Sequence, residues 1–303
     1  MKTTLKLTAI RMRLAMRTRV FLFFSLIMPL AFLFLYGGIF GKGDPATVRY
    51  LLPAVMALTV MGSFWGLSVQ LVLFREQGIL RRFRLAPIGA APMLASGILA
   101  NYLLTIPTIF LQLALARWLF KVGSFGNVLG VLALVSLGAM TFAAMGLIVA
   151  SVTNSMQETQ LICNAVWFVL LFLSGATVPL PTLPGFIQKF AMFLPATYLI
   201  NGLQQMLLRD ASFWQQGIAV ASLGGCLLAS FFMSVQMFRW EQEEKILGKA
   251  KLKAVVALVP FLLMGTYELM YGHQLADARE AMRQATQRQA QPPQSQGSAE
   301  TSK

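Results

Sequence analysis

A chain of 303 residues that is 57% hydrophobic and only 12% charged has too few polar side chains to cover a water-soluble fold, so its solvent is the lipid bilayer. Its formal charge of +14 would suit nucleic acid, but the basic residues fall in short connectors between apolar runs and not on one polar face, which excludes that partner. Cys163 and Cys226 lie inside apolar runs, so neither a disulfide framework nor a metal site follows from them, and with His273 the single histidine zinc chemistry and a Ser/His/Asp triad are excluded.

Residues 1–19 are helix-compatible. Lys2, Lys6, Arg13 and Arg17 form one narrow stripe, flanked by Leu7, Ile10 and Leu14 on one side and by Leu5, Met12 and Met16 on the other. This is the pattern of a helix lying in an anionic membrane interface with its basic side chains snorkelling; a solvated basic tail is the alternative. Six apolar runs then meet the roughly 20 residues that a helix needs to cross a hydrocarbon core about 30 Å thick: 20–41, 50–74, 93–119, 125–152, 161–180 and 217–238. The first follows a basic stretch as a signal peptide would, but its apolar part is too long and no small-residue cleavage site follows, so it is expected to stay attached. Cytoplasmic connectors hold the excess of Lys and Arg. The arm, the connector after the second run and residues 239–253 together carry fifteen, against six in the alternate loops, which predicts that both ends of the six-span unit face the cytoplasm.

The connector after the second run reads REQGILRRFRLAPI, residues 75–88. Its four arginines help to set topology, but the order of its residues says more. As a short helix, 79–85 puts Ile79, Leu80 and Phe83 in one sector of about 100° with Arg81 and Arg82 opposite, and Pro87 stops it. Such an element either lies along the membrane surface or docks on a cytosolic partner. Periodicity does not choose between them.

No Asp, Glu, Lys or Arg lies deep in any of the six runs, which argues against ion-coupled transport and against an intramembrane hydrolase. The Gly-Lys pairs at 41–44 and 248–250 lack the rest of a phosphate-cradling loop, so any ATP is expected to be hydrolysed by another subunit. Gln70, Asn101, Gln112, Asn164 and Gln236 are read as hydrogen-bonding between helices more than as ligand contacts, and the spacing of Ala139, Ala143, Gly146 and Ala150 reads as close helix packing. Pro181, Pro184 and Pro195 cut the segment 180–208 into pieces too short to cross. Two half-helices dipping in from the outer face are expected, with Phe186, Phe190, Phe193 and Leu194 as the buried stripe of the first; an amphipathic outer loop is the alternative. Residues 254–271 form an eighteen-residue apolar stretch weakened by Pro260 and Glu268, so that a seventh crossing and an interfacial helix both stay open. The tail from 272 ends in Gln, Pro, Ser and Gly and is expected to be partly disordered.

Three stretches carry a likeness. FREQGILRRFRLAPIGAAPMLASGILANYLL at 74–104 resembles the connector after the second span in permeases of the ATP-binding-cassette type 2 family. LSGATVPLPTLPGFIQKFAMFLPATYLINGLQQMLL at 173–208 is similar to that family's outer re-entrant element, and MFRWE at 237–241 to the end of its last span. The resemblance implies an all-α integral membrane fold in the cytoplasmic (inner) membrane. Residues 1–19 would be a connecting helix and 20–241 the six-span permease domain; the likeness ends near 241, and 242–271, a basic linker plus an additional hydrophobic helix, and 272–303, a polar tail, depart from the family pattern. It further implies a membrane subunit of an ATP-driven exporter that pairs with a second permease chain and contacts membrane lipids. ATP and Mg would be held by separate nucleotide-binding ATPase subunits, and this chain would bind no cofactor. Glu76, Gly78, Ile79, Leu80, Arg81 and Phe83 would form or brace the contact with those subunits, as a coupling helix. Phe64, Trp65, Asn164, Phe168 and Phe172, on spans two and five, would line the translocation path, and Pro181, Pro184 and Pro195 would belong to the outer gate. An amphipathic or lipid-like substrate is the expectation. A non-transporting membrane scaffold is the alternative, and an ion-coupled carrier a weaker third.

Overall fold

Every regular element among the described residues is helical. The computed structural model describes residues 2–17, 19–40, 44–84, 88–123, 125–241 and 259–272, together with 276. The elements in chain order are α1 (Lys2–Arg17), α2 (Arg19–Leu35) with a π-helical continuation at Tyr36–Phe40, α3 (Pro45–Glu76), α4 (Ile79–Arg84), α5 (Ala90–Trp118), α6 (Val128–Val152), α7 (Met156–Leu173), α8 (Gly185–Ala191), α9 (Pro195–Arg209), α10 (Gly217–Gln236) and α11 (Val259–Tyr271). Pro87, the basic linker 242–258 and nearly all of the tail from His273 lie outside the described residues.

By length and composition five helices can cross a membrane: α3, α5, α6, α7, and α10 with the turn before it. The run expected to cross first is divided. Its α-helical part carries Pro29 inside it and gives way at Tyr36 to a π-helical turn containing Gly37 and Gly38, residues that weaken an α-helix. The fifth run also shifts. Its helix starts at Met156, five residues before the hydropathy rise, because Ser155 Oγ accepts the Glu158 N–H at 3.2 Å and caps it.

Helices α3 and α6 form the spine of the fold. At the start of α3, Asp44 accepts the Thr47 N–H at 2.9 Å and the Thr47 hydroxyl at 2.7 Å, and Pro45 fills the first helical position, where its missing donor costs nothing. The helix then runs 32 residues, about 48 Å, and so outlasts a hydrocarbon core of about 30 Å. Gly146 on α6 presses directly against the Phe64 carbonyl of α3, a closeness that any Cβ at 146 would forbid. Ala139, Ala143 and Ala150 are fully buried on the same helix. On other faces of α6, Thr141 donates its hydroxyl to the Leu223 carbonyl of α10 at 3.0 Å. Gln112 of α5 is buried and donates to the Thr59 hydroxyl of α3 at 2.8 Å, a bond between helices of the kind expected in lipid.

At the end of the bundle where α3 begins, α8 and α9 make a helical hairpin. Pro181 sits in a short 3₁₀ turn, Pro184 precedes α8, and Pro195 opens α9. The two arms are tied by Thr197, whose hydroxyl donates to the Ala191 carbonyl, and by Tyr198, whose hydroxyl donates to the Met192 carbonyl, both at 2.7 Å. Arg49 of α3 holds the far end of α9 by donating to the Leu207 carbonyl at 2.7 Å. The expected burial is reversed within α8, where Phe186 and Phe190 are 74% and 49% exposed and Gln188 and Ala191 are buried, whereas Phe193 and Leu194 beyond its end are half-buried. Gln188 turns inward because its side-chain amide bonds the Leu183 carbonyl at 2.7 Å, which leaves the rings facing what would be lipid.

Helix α11 has 13 described residues, about 20 Å, and the start of the stretch read as a possible seventh crossing, 254–258, lies outside the described residues. It does not lie free. Its Gly265 packs on the ring of Phe193 at the apex of the α8–α9 hairpin, and Glu268 is buried against the protein while Leu262, Leu263 and Met270 face out.

Candidate functional site

The chemistry of this chain gathers at the basic end of the bundle, opposite the hairpin, where α3 ends. Gly78 ends that helix with φ of +68°, a left-handed conformation that costs an L side chain roughly 1–2 kcal/mol. The Gln77 N–H still reaches the Leu73 carbonyl and the Gly78 N–H the Arg75 carbonyl, both at 3.0 Å, so the turn closes the helix and launches α4 at once. Helix α4 turns its apolar sector inward. Leu80 is fully buried with Leu71, Met93, Leu94 and Leu147, and Phe83 packs partly buried against the same cluster; Ile79 is half-buried. Arg81, Arg82 and the neighbouring Glu76 and Gln77 are exposed. The six residues expected on a coupling helix thus divide: Leu80 and Phe83 anchor it to the bundle, Ile79 is half-buried, Gly78 shapes its entry, and Glu76 and Arg81 are exposed. Arg81 lies 3.8 Å from Glu241 across the surface, a pair too solvated to hold much by itself.

Two buried arginines that read in sequence as topology signals have structural partners. Arg75 is 3% exposed and donates to the carbonyls of Ala150 at 2.9 Å and Thr153 at 3.3 Å. Arg239 donates to the Thr153 carbonyl at 2.7 Å and to Asn154 Oδ1 at 3.0 Å. Both therefore grip the C-terminal carbonyls of α6. Glu76 accepts the backbone N–H of Met156, the first residue of α7, at 2.7 Å. Inside the turn, Glu158 accepts the Asn154 N–H at 2.8 Å and the Thr153 and Thr159 hydroxyls lie 2.7 Å apart. The sequence signal for this turn is Ser155-Met-Gln-Glu158, a helix-start pattern of the S-x-x-E kind just before an apolar run. Hydropathy alone passes over it.

Helix α1 docks on this end. Its buried face is Leu7, Thr8, Arg11 and Ala15, set against the start of α5, and its exposed face mixes Lys6, Arg13 and Arg17 with Leu5, Ile10, Leu14 and Met16. Arg11 is 7% exposed, and burial pushes its guanidinium down to about 10.

The five residues expected to line a path separate as well. Phe64 is buried in the α3–α6 seam, but Trp65, Asn164, Phe168 and Phe172 are exposed. On α7 the exposed positions Leu161, Asn164, Ala165, Phe168 and Phe172 recur at helical spacing, and the Phe168 and Phe172 rings stack with centroids 6.3 Å apart. An apolar outer face that carries an asparagine is open on this protomer.

The model of the ABC-2 type transporter family matches residues 4–208. The daunorubicin resistance ABC transporter permease protein DrrB1 of Streptomyces coeruleorubidus is 28% identical over 228 residues, which is 70% of this chain and 77% of that protein. The linearmycin resistance permease protein LnrN of Bacillus subtilis (strain 168) is 26% identical over 51% of this chain, and the alignment spans only 40% of its own length. The inner membrane transport permease YhhJ of Escherichia coli (strain K12) is 24% identical over 65% of this chain and 52% of its own. No solved structure matches. With one family model covering residues 4–208 and five helices long and apolar enough to cross a membrane, the chain belongs to the ABC-2 type transporter family as a multi-pass permease subunit of an ABC transporter.

Proposed function

We propose that this permease is the membrane half of an ATP-driven exporter, with its basic end and N-terminus in the cytoplasm and ATP and Mg held by separate cassette ATPase subunits. The observation that carries the proposal is the construction of α4. A six-residue helix with two exposed arginines, anchored by buried Leu80 and launched by the left-handed Gly78, offers a rigid charged prominence to a partner and ties it to the spans. Binding and hydrolysis of ATP in the partner would displace that prominence and rock the helices between inward and outward access. The open faces of α3 and α7, with Trp65, Asn164, Phe168 and Phe172, would meet a second permease chain and enclose the path between them. The hairpin with Pro181, Pro184 and Pro195 would serve as its outer gate.

An amphipathic or lipid-like cargo suits spans without deep charges. The relatives named for resistance to daunorubicin and linearmycin put compounds of drug type first among those to assay. Affinity purification of the full chain from its native membranes is expected to recover a cassette ATPase. F83D, which buries a charge beneath α4, is expected to abolish ATP-dependent uptake into inverted vesicles. Recovery of no ATPase, together with transport indifferent to F83D, would refute the proposal.

A further inference from the structure

The end of α3 does more than carry α4. Arg75 and Glu76 are adjacent in sequence and grip opposite sides of one turn: Arg75 the last carbonyls of α6, Glu76 the first N–H of α7. Each charge is matched to the helix end it meets, a cation at the partly negative C-terminus and an anion at the partly positive N-terminus. Arg239, just past α10, joins the same grip through Thr153 and Asn154. Two residues on, Gly78 turns the chain into α4. Any displacement of α4 that moves the end of α3 must therefore move the α6–α7 turn or break these bonds. Helix α7 is the crossing helix held least by its own chain, since only Thr159, Cys163 and Leu170 along it are buried.

We propose that Glu76, bonded to a turn that Arg75 and Arg239 fasten from its other side, is a positioning residue that conveys the movement of α4 to α7. It is a joint within the chain, distinct from a contact with the ATPase. This assignment rests on the exporter reading given above. Arg75 is a poor place to test it, because removing a buried cation from two carbonyls threatens folding itself. Glu76 is exposed, and glutamine keeps an acceptor oxygen in the same position.

The experiment uses the full chain, with Cys163 and Cys226 replaced, purified with its cassette ATPase in lipid nanodiscs. A spin label is placed at V169C, an exposed position on α7 to the side of the Leu161, Asn164, Phe168 and Phe172 stripe and farther from the joint. Trapping the ATPase with ATP and vanadate is expected to change the label's spectrum in the parent chain. The change should be lost in E76A and retained in E76Q. Retention of the full change in E76A overturns the joint. Vanadate trapping of the ATPase, measured in the same samples, separates the two readings: its absence in the parent counts against ATP-driven export. Hydrogen exchange on the chain alone then decides the joint, with faster exchange at the Met156 amide in E76A supporting it and unchanged exchange overturning it.

Discussion

The guanidinium of Arg11 sits 5.7 Å above the centre of the Phe74 ring and directs its Nη2 at the Met93 sulfur across 3.3 Å, so a cation of α1 is buried between the end of α3 and the start of α5. The attraction of the ring and a weak thioether acceptor offset only part of the cost of burying that charge. A methionine of similar length would keep the packing without the charge, whereas alanine would leave a cavity. R11M is expected to match or exceed the parent in thermal stability, and R11A to lose on the order of 2–5 kcal/mol, as truncations of long buried side chains do. Arg11 is a base that is harder to charge when folded than when unfolded. Its penalty is therefore present at every pH below about 10 and fades above it. The difference between R11M and the parent should be flat from about pH 6 to pH 9 in fluorescence-detected size-exclusion melts.

Close contact of α3 and α6 depends on Gly146, whose missing side chain admits the Phe64 carbonyl. G146A must separate the spine helices, since both sides of the contact are backbone or nearly so. Gly62, also on α3, has open space where its Cβ would stand. G62A is expected to fold normally and to gain up to about 1 kcal/mol from helix propensity, while G146A should elute as aggregate or fail to accumulate. Equal yields of monodisperse protein from the two variants would mean that the helices are not packed as described.

Much of this arrangement was legible because the lipid rule is blunt: a long uncharged run is a helix, and five of the six expected runs appear as helices of crossing length. The small residues of α6 likewise announced their packing. What the pattern could not give is which face of a helix turns inward. In water an apolar stripe is a buried stripe, but in lipid Phe186 and Phe190 gain as much by facing out, and the polar Gln188 takes the inside to find its carbonyl. The same ambiguity separates buried Phe64 from exposed Trp65, adjacent in sequence. Loop counting treats Arg75, Arg82 and Arg239 as equal topology signals; only distances show that two of them fasten the α6–α7 turn while Arg82 stands in solvent.

The α11 helix lies beyond residues 4–208, where the family model ends, yet its Gly265 rests on Phe193 at the apex of the hairpin proposed as the outer gate. F193C with G265C is expected to form a disulfide in intact membranes, because a Cβ at 265 falls on the Phe193 ring, including the Cγ bonded to the Phe193 Cβ. G265L in a chain that keeps Phe193 drives a side chain into the ring and is expected to loosen this seat, read as faster hydrogen exchange along α11. Unchanged exchange in G265L would show that α11 does not depend on this seat.

The open face of α7 yields the last prediction. Asn164 is exposed in the midst of Leu161, Phe168 and Phe172, and an unpaired amide facing hydrocarbon is costly unless a partner supplies a donor or acceptor. A second copy brought up against the same face would pair the two asparagines and bury the stacked Phe168 and Phe172 rings, an isologous contact of the kind that closes dimers. F168C is therefore expected to cross-link two chains in native membranes. L228C is the control, since Leu228 on α10 is 71% exposed, no less than Phe168 at 57%, but lies on a different helix. N164L should reduce the F168C yield in part, since interhelical amide pairs in lipid contribute roughly 0.6–1.7 kcal/mol and the aromatic packing remains. Cross-linking of L228C as efficient as that of F168C would point to random collision in the bilayer and remove α7 as the meeting face.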